Sequence, residues 1–235
     1  MAEAVDKYRS HLSGDGEKHT QWRHGAPPIY DLVNDLFERE RTIEWPKGSL
    51  EETVQNAVKT WEMELSHKTR LADFKSIHPT DFRFSVNGGA ALNGEELLAA
   101  GSYNALLRSA LPAELRPYYN PDAETFESSH EIFRVALPRG FAWEVLAVYS
   151  PPPVVAFKFR HWGYMEGPYK GRAPTGERVE FTGVGVLRVD EELRVEEVEI
   201  YYDPGELFAG LVKGEAEDGG DSTASELRSC PFLNN

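Results

Sequence analysis

An α+β fold is what this sequence predicts: a curved antiparallel sheet with helices on its concave face, together forming a cone, and a helical extension at the N-terminus. Two observations lead there. Apolar residues recur at helical spacing as far as Leu137, and after Pro138 and Gly140 the period falls to 2. The turns between the late strands suit antiparallel pairing, and helices gathered on one face of such a sheet are the α+β plan.

The elements follow in order. Residues 1–26 are polar and mixed, with no apolar period, and read as a weakly structured, solvated arm. After Pro27-Pro28, the residues Ile29, Leu32, Val33, Leu36 and Phe37 mark one face of a helix that Trp45-Pro46 and Gly48 end. Ser49-Leu50-Glu51-Glu52 is a capping box, and Val54, Ala57, Val58, Trp61 and Leu65 follow at helical spacing. A further helix is expected through Leu71, Phe74 and His78, and a short strand from Phe82 to Val86. Asn93 and Glu96 make a second cap, for an apolar face of Ala99, Tyr103, Leu106, Leu107 and Ala110. Asn120-Pro121 caps a helix carrying Phe126, His130, Phe133 and Leu137. Four strands come next: Phe141 to Tyr149, Val155 to Trp162, Arg178 to Arg188, and about Val195 to Asp203. A short helix, Glu206 to Val212, closes the ordered part. The expected division is an arm and helix over 1–48, a cone-shaped domain over 49–213, and a flexible acidic tail over 214–235.

Composition narrows the function. The chain has 235 residues, 40% of them apolar, enough for a real core. A formal charge of −14 argues against broad nucleic-acid binding, which needs phosphates neutralised by Lys and Arg. No apolar run is long enough to span a membrane, and the first residues lack the order of a secretory signal. The single cysteine, Cys230, permits neither an internal disulfide nor a cysteine-rich zinc site. A cytoplasmic protein acting on a small molecule is the expectation.

Side-chain alternation gives the faces. If Phe157 and Phe159 point inward, so does His161, while Lys158 and Arg160 point out. On the last strand Glu197, Glu199, Tyr201 and Asp203 share one face, and Val198, Ile200 and Tyr202 the other. Either the acidic set is solvated, or it lines a polar pocket and the apolar set meets a partner, as in a homodimer. Period alone leaves both open.

The residues from Val154 to Asp203 resemble a known family. Gly163, Gly167 and Gly171 lead into Ala173-Pro174-Thr175-Gly176-Glu177, then Val179-Glu180-Phe181-Thr182-Gly183-Val184, then a strand ending Tyr201-Tyr202-Asp203. This is similar to the C-terminal half of SnoaL-like polyketide cyclases, of the nuclear-transport-factor-2-like superfamily that includes ketosteroid isomerase. A longer stretch, from about Trp22 to Gly214, resembles the plant pathogen-related protein group. Its phrases include Gly101-Ser102-Tyr103-Asn104-Ala105-Leu106-Leu107, Phe126-Glu127-Ser128-Ser129-His130 and Phe159-Arg160-His161-Trp162-Gly163.

The cyclase resemblance implies cyclase or isomerase chemistry on an apolar ketone- or enol-bearing metabolite, with Asp203 as general base in the cone. His161 and His130 would polarise or orient the substrate. Glu199, Tyr201, Tyr103, Trp143, Phe159, Met165 and Trp61 would line its site. Met165 stands where the cyclases usually carry a histidine, a departure from the pattern. The plain alternative for Asp203 is a cap, since Asp203-Pro204-Gly205 is a good strand-to-helix turn. His130, His161, Glu199 and Asp203 would bind a metal only if they converged, and no spacing motif supports that, so no metal or cofactor is expected. A non-catalytic binder of a hydrophobic small molecule, and a dimeric scaffold built on Val198, Ile200 and Tyr202, are the alternatives to an enzyme.

Overall fold

A computed structural model describes residues 6–108 and 111–216; Ala110, Cys230 and most of the acidic tail lie outside them. Six α-helices occur among the described residues: α1 (Asp31–Glu40), α2 (Leu50–His67), α3 (Gly94–Ala100), α4 (Ser102–Arg108), α5 (Phe126–Ala136) and α6 (Pro204–Leu211). The strands are β1 (Arg83–Val86), β2 (Leu92–Asn93), β3 (Ala142–Val148), β4 (Val154–Tyr164), β5 (Arg178–Val189) and β6 (Val195–Tyr202). They form one open sheet in the order β2-β1-β6-β5-β4-β3. The long strands β3 to β6 pair antiparallel, as the turns predict. β1 is the exception, running parallel to β6 with Phe84 opposite Val198.

The cone is lined by the predicted alternation. Val155, Phe157, Phe159 and His161 of β4 are buried on the inner face, with Val179 and Phe181 of β5 and Val198, Ile200 and Tyr202 of β6. Gly183 and Gly185 of β5 lie opposite Phe159 and Phe157. A Cβ on either glycine would stand 2.5 or 2.2 Å from the facing ring, so the two missing side chains are what let both rings lie flat on the strand. Trp143 stacks on Phe159 at 4.6 Å and completes a solid aromatic floor. The acidic set of β6 is on the outer face, where Tyr201 donates to Glu199 at 2.7 Å. With Val198, Ile200 and Tyr202 buried, the dimer surface expected on those residues does not exist.

The helices depart from expectation at three places. No helix runs from Leu71 to His78, only a single 3-10 turn, Leu71–Asp73. The backbone is diverted because the buried Glu64 carboxylate accepts the Lys75 and Ser76 N–H groups, and His78 N–H donates to Val195 at the start of β6. The helix expected from Asn120 starts instead at Phe126, capped by Thr125. Residues 94–108 form two helices rather than one, broken at Gly101. The Ser49 cap is present, its side chain accepting the Glu52 N–H, but Glu52 reaches one residue further back, to Gly48.

The largest correction concerns the arm, which is ordered from Asp6 and packed on the domain. Asp6 accepts from the backbone of Tyr8 and Arg9 and from Asn34 of α1. Lys68, fully buried, donates to Glu17 of the arm and Glu64 of α2, both at 2.9 Å. Leu36 and Phe37 of α1 join Tyr8, Ala142 and Trp162 in a small core behind the sheet with Val33 packed against it, while Ile29 (85% exposed) and Leu32 (64%) remain in solvent. At its end Glu40 accepts from Trp162 and Tyr164 of β4. Outward-pointing Arg160 is therefore buried, contrary to a solvent-facing reading. Gly214 and Glu215, expected in the flexible tail, are held against the domain: Ala173 N–H donates to Glu215 and Arg172 donates to Gly214.

Candidate functional site

The solid floor stops short of the cone's wide end. There a cavity of about 1130 Å³ lies between the sheet, α2, α4, α5 and the arm. Its wall is largely aromatic and aliphatic, with Tyr30, Tyr103, Phe126, Phe133 and Phe141 among the lining residues. The arm roofs it: the Arg9 guanidinium lies 3.6 Å from the centre of the Tyr30 ring, and that of Arg23 3.5 Å from the centre of Phe126. Ile29 and Leu32, the exposed apolar residues of the first turn of α1 and its approach, also border it.

Charged and polar side chains, among them Glu127, Glu131, Arg134 and Arg139, also border it, and four of its polar residues form two close pairs. The first is Glu62 of α2 with His161 of β4, whose Nε2 lies 3.5 Å from the Glu62 carboxylate. The His161 ring is held by stacking on Phe141 at 3.9 Å, and its Nδ1 is buried without a hydrogen-bond partner. Burial pushes the Glu62 carboxyl up, but the His161 contact and the charges of His161, Arg9 and Lys59 outweigh it and hold Glu62 below the usual range. Glu62 is thus an anion in a largely apolar wall. Its charge in turn reaches the hydroxyls of Tyr30 and Tyr103, which burial chiefly, and Glu62 with it, pushes far above the ordinary phenol value. Both remain protonated donors.

The second pair is Ser102 at the start of α4 and His130 in the middle of α5, 3.0 Å apart. His130 stacks on Phe126 at 4.1 Å, and burial is the main cause that lowers its pKa. His67 of α2 also borders the cavity; burial first, then nearby His130, His24 and arginines, brings it down to about 4.

Of the ten residues predicted for the site, His161, His130 and Tyr103 line the cavity. Asp203 does not. It is exposed and accepts the Gly205 N–H at 2.7 Å, the cap of α6 with Pro204 in the first turn. Glu199 and Tyr201 face out from the back of the sheet. Trp143, Phe159 and Met165 are buried in the floor, beneath the cavity rather than around it. Trp61 packs on Phe82 and Phe84. With Glu199 and Asp203 outside and the two histidines inside, the four do not converge on a metal. Sequence reasoning missed Glu62, Tyr30 and Ser102. The helical period offers a signal for Glu62, one residue beyond Trp61 and four beyond Val58, while Tyr30 stands just before α1, next to Ile29 of the pattern read as its apolar face.

No family model matches the chain. Among solved structures it is similar to a protein described as a SnoaL-like polyketide cyclase from Jannaschia, at 15% identity and TM-score 0.41, covering 73% of this chain and 100% of that one. A polyketide cyclase-like protein from Acidithiobacillus ferrooxidans gives 12% identity and TM-score 0.42 over the same shares. These likenesses concern architecture and say nothing of chemistry. In sequence, the chain is 55% identical over 230 residues to the Pathogen-related protein of Hordeum vulgare, covering 97% of this chain and 95% of that one. An identity of that depth takes in the arm, the helices that wall the cavity and the whole sheet, and so the chain belongs to the pathogen-related protein family.

Proposed function

We propose that the cavity takes an apolar small molecule bearing a carbonyl group and moves a proton on it. The observation that supports this is the Glu62 carboxylate, ionised in the wall of an aromatic cavity beside two protonated tyrosines. Glu62 removes a proton from the carbon next to the carbonyl. The Tyr30 and Tyr103 hydroxyls donate to the oxygen as negative charge grows there, which in a site poor in water is worth more than in solution. His161, 3.5 Å from the carboxylate, holds it in place and, with Arg9 and Lys59, favours its ionised form before the proton arrives. A proton returned to the same carbon gives exchange alone; returned to a conjugated carbon it gives isomerisation, and an enolate carbon that attacks an electrophilic carbon of the same molecule gives cyclisation. Asp203 has no part in this.

The test is proton exchange. The protein is incubated in D2O with a panel of cyclic ketones, and deuterium at the α-carbon is followed by NMR. Glu62→Gln should slow exchange about 100-fold, the scale of a lost general base, while a fluorescent apolar probe still binds. A ketone that binds yet exchanges no faster than in buffer, or equal exchange in Glu62→Gln, overturns the reading. In the first case the cavity is a carrier site.

A further inference from the structure

The Ser102–His130 pair shares no hydrogen bond with Glu62 and is built for a different reaction. His130 Nδ1 lies 2.7 Å from the carbonyl oxygen of Phe126. A carbonyl can only accept, so Nδ1 carries the proton. In the neutral ring Nε2 is then bare, and at 3.0 Å it accepts from the Ser102 hydroxyl. This is a serine whose proton points at a base, with the base held in the correct tautomer by a third group. The approach depends on Gly101, at φ +82°: a Cβ there would stand 2.8 Å from the Phe126 ring and 3.4 Å from His130 Cε1. Ser66 Oγ is 3.5 Å from Ser102 Oγ, and all of these side chains border the cavity beside Tyr103 and Phe126.

We propose that Ser102 is a nucleophile, and His130 its general base, for acyl transfer from esters with apolar acyl groups that enter the cavity. Ser102 Oγ bonds to the acyl carbon as its proton passes to His130 Nε2. The carbon–oxygen bond to the leaving alcohol then breaks, and that oxygen takes the proton from Nε2. Water gives a proton to Nε2 and adds to the serine ester; the Ser102–acyl bond breaks, the carboxylic acid leaves and Oγ recovers its proton. Burial, the largest cause, keeps His130 unprotonated near neutrality and so available as base. The charged and titratable groups around it are Arg23 of the arm, Glu127 of its own helix, and Glu62 and His67 of α2.

The full chain is treated with p-nitrophenyl butyrate and, separately, with an alkyl fluorophosphonate. Mass spectrometry should find one phosphonyl group, on the peptide holding Ser102. Release of p-nitrophenol should fall about 100-fold or more in both Ser102→Ala and His130→Gln, with probe binding retained as a check on folding. The wild-type rate should already be level at neutral pH and fall only as the medium becomes acidic. No adduct on the wild-type chain, an adduct on another residue, or an unchanged rate in a folded Ser102→Ala overturns the proposal. If the variants do not fold, the wild-type peptide map decides alone. Because deuterium exchange and serine labelling are read separately, failure of either proposal leaves the other standing.

Discussion

Glu144 and Arg160 face each other across β3 and β4 on the outer side of the sheet, joined at 2.6 Å and both buried. The second Glu144 oxygen accepts the N–H groups of Thr42 and Ile43, and Arg160 also donates to the carbonyl of Glu40. One ion pair therefore ties the end of α1 to the sheet. Removing Glu144 takes away the buried partner and leaves Arg160 only the part-exposed Glu180, 3.3 Å away, to offset its charge. Glu144→Ala should cost about 3–5 kcal/mol in urea unfolding, against about 1 kcal/mol or less for the exposed Arg134–Glu131 pair. Equal losses at the two sites would contradict this account.

Asp203 separates capping from chemistry. Asp203→Ala should lose about 1 kcal/mol, the usual worth of a cap, and Asp203→Asn much less, since asparagine caps as well. Neither should alter ketone exchange or ester cleavage. A fall in either activity in a folded Asp203→Asn would return this residue to the site.

The buried histidines set a pH dependence. His67, at about 4, and His130, also lowered, bind protons less readily folded than unfolded. The unfolded chain takes up protons first as pH falls below about 6.5, so stability is full above that value and declines between about 6.5 and 4. The decline attributable to His67 is on the order of 3 kcal/mol. His67→Gln should flatten it, as read from urea midpoints across that range. A slope identical in the variant would remove His67 as its source.

Two glycines with left-handed backbone give a paired comparison. Gly88, at φ +71°, has open space where a Cβ would go, while Gly101, at φ +82°, has Phe126 and His130. Gly88→Ala should cost about 1 kcal/mol, the backbone term alone. Gly101→Ala should cost more and should also reduce labelling of Ser102, because α4 must back away from His130. Equal melting temperatures for the two variants would count against the close approach.

Much of the architecture was legible because it rests on period. The change from helical spacing to alternation at Gly140 placed the sheet, and the position of His161 on the inner face followed from Phe157 and Phe159. What period could not give was which face of β6 is inside; the register settles that, Ile200 pairing with Gly185 and Gly185 with inward Phe157. Nor could it give the arm, whose order comes from isolated polar anchors such as Asp6, Glu17 and Lys68 rather than from an apolar stripe. The site was half-legible for the same reason. Its histidines lay on readable faces, but Glu62 acquires meaning only from a strand 99 residues away, and Tyr30 only from the Arg9 guanidinium that the patternless arm lays over its ring. Asp203 misled because a strand's last carboxylate and a helix's cap look the same in one dimension.

The ten residues of α1 have a consequence of their own. Tyr30, just before them, belongs to the hollow; Glu40, at their far end, is fastened behind the sheet. Contents and fastening thus share one short rod. A filled interior should shield that rod from proteases, and anything that prises it loose at the back would unroof whatever is held at the front.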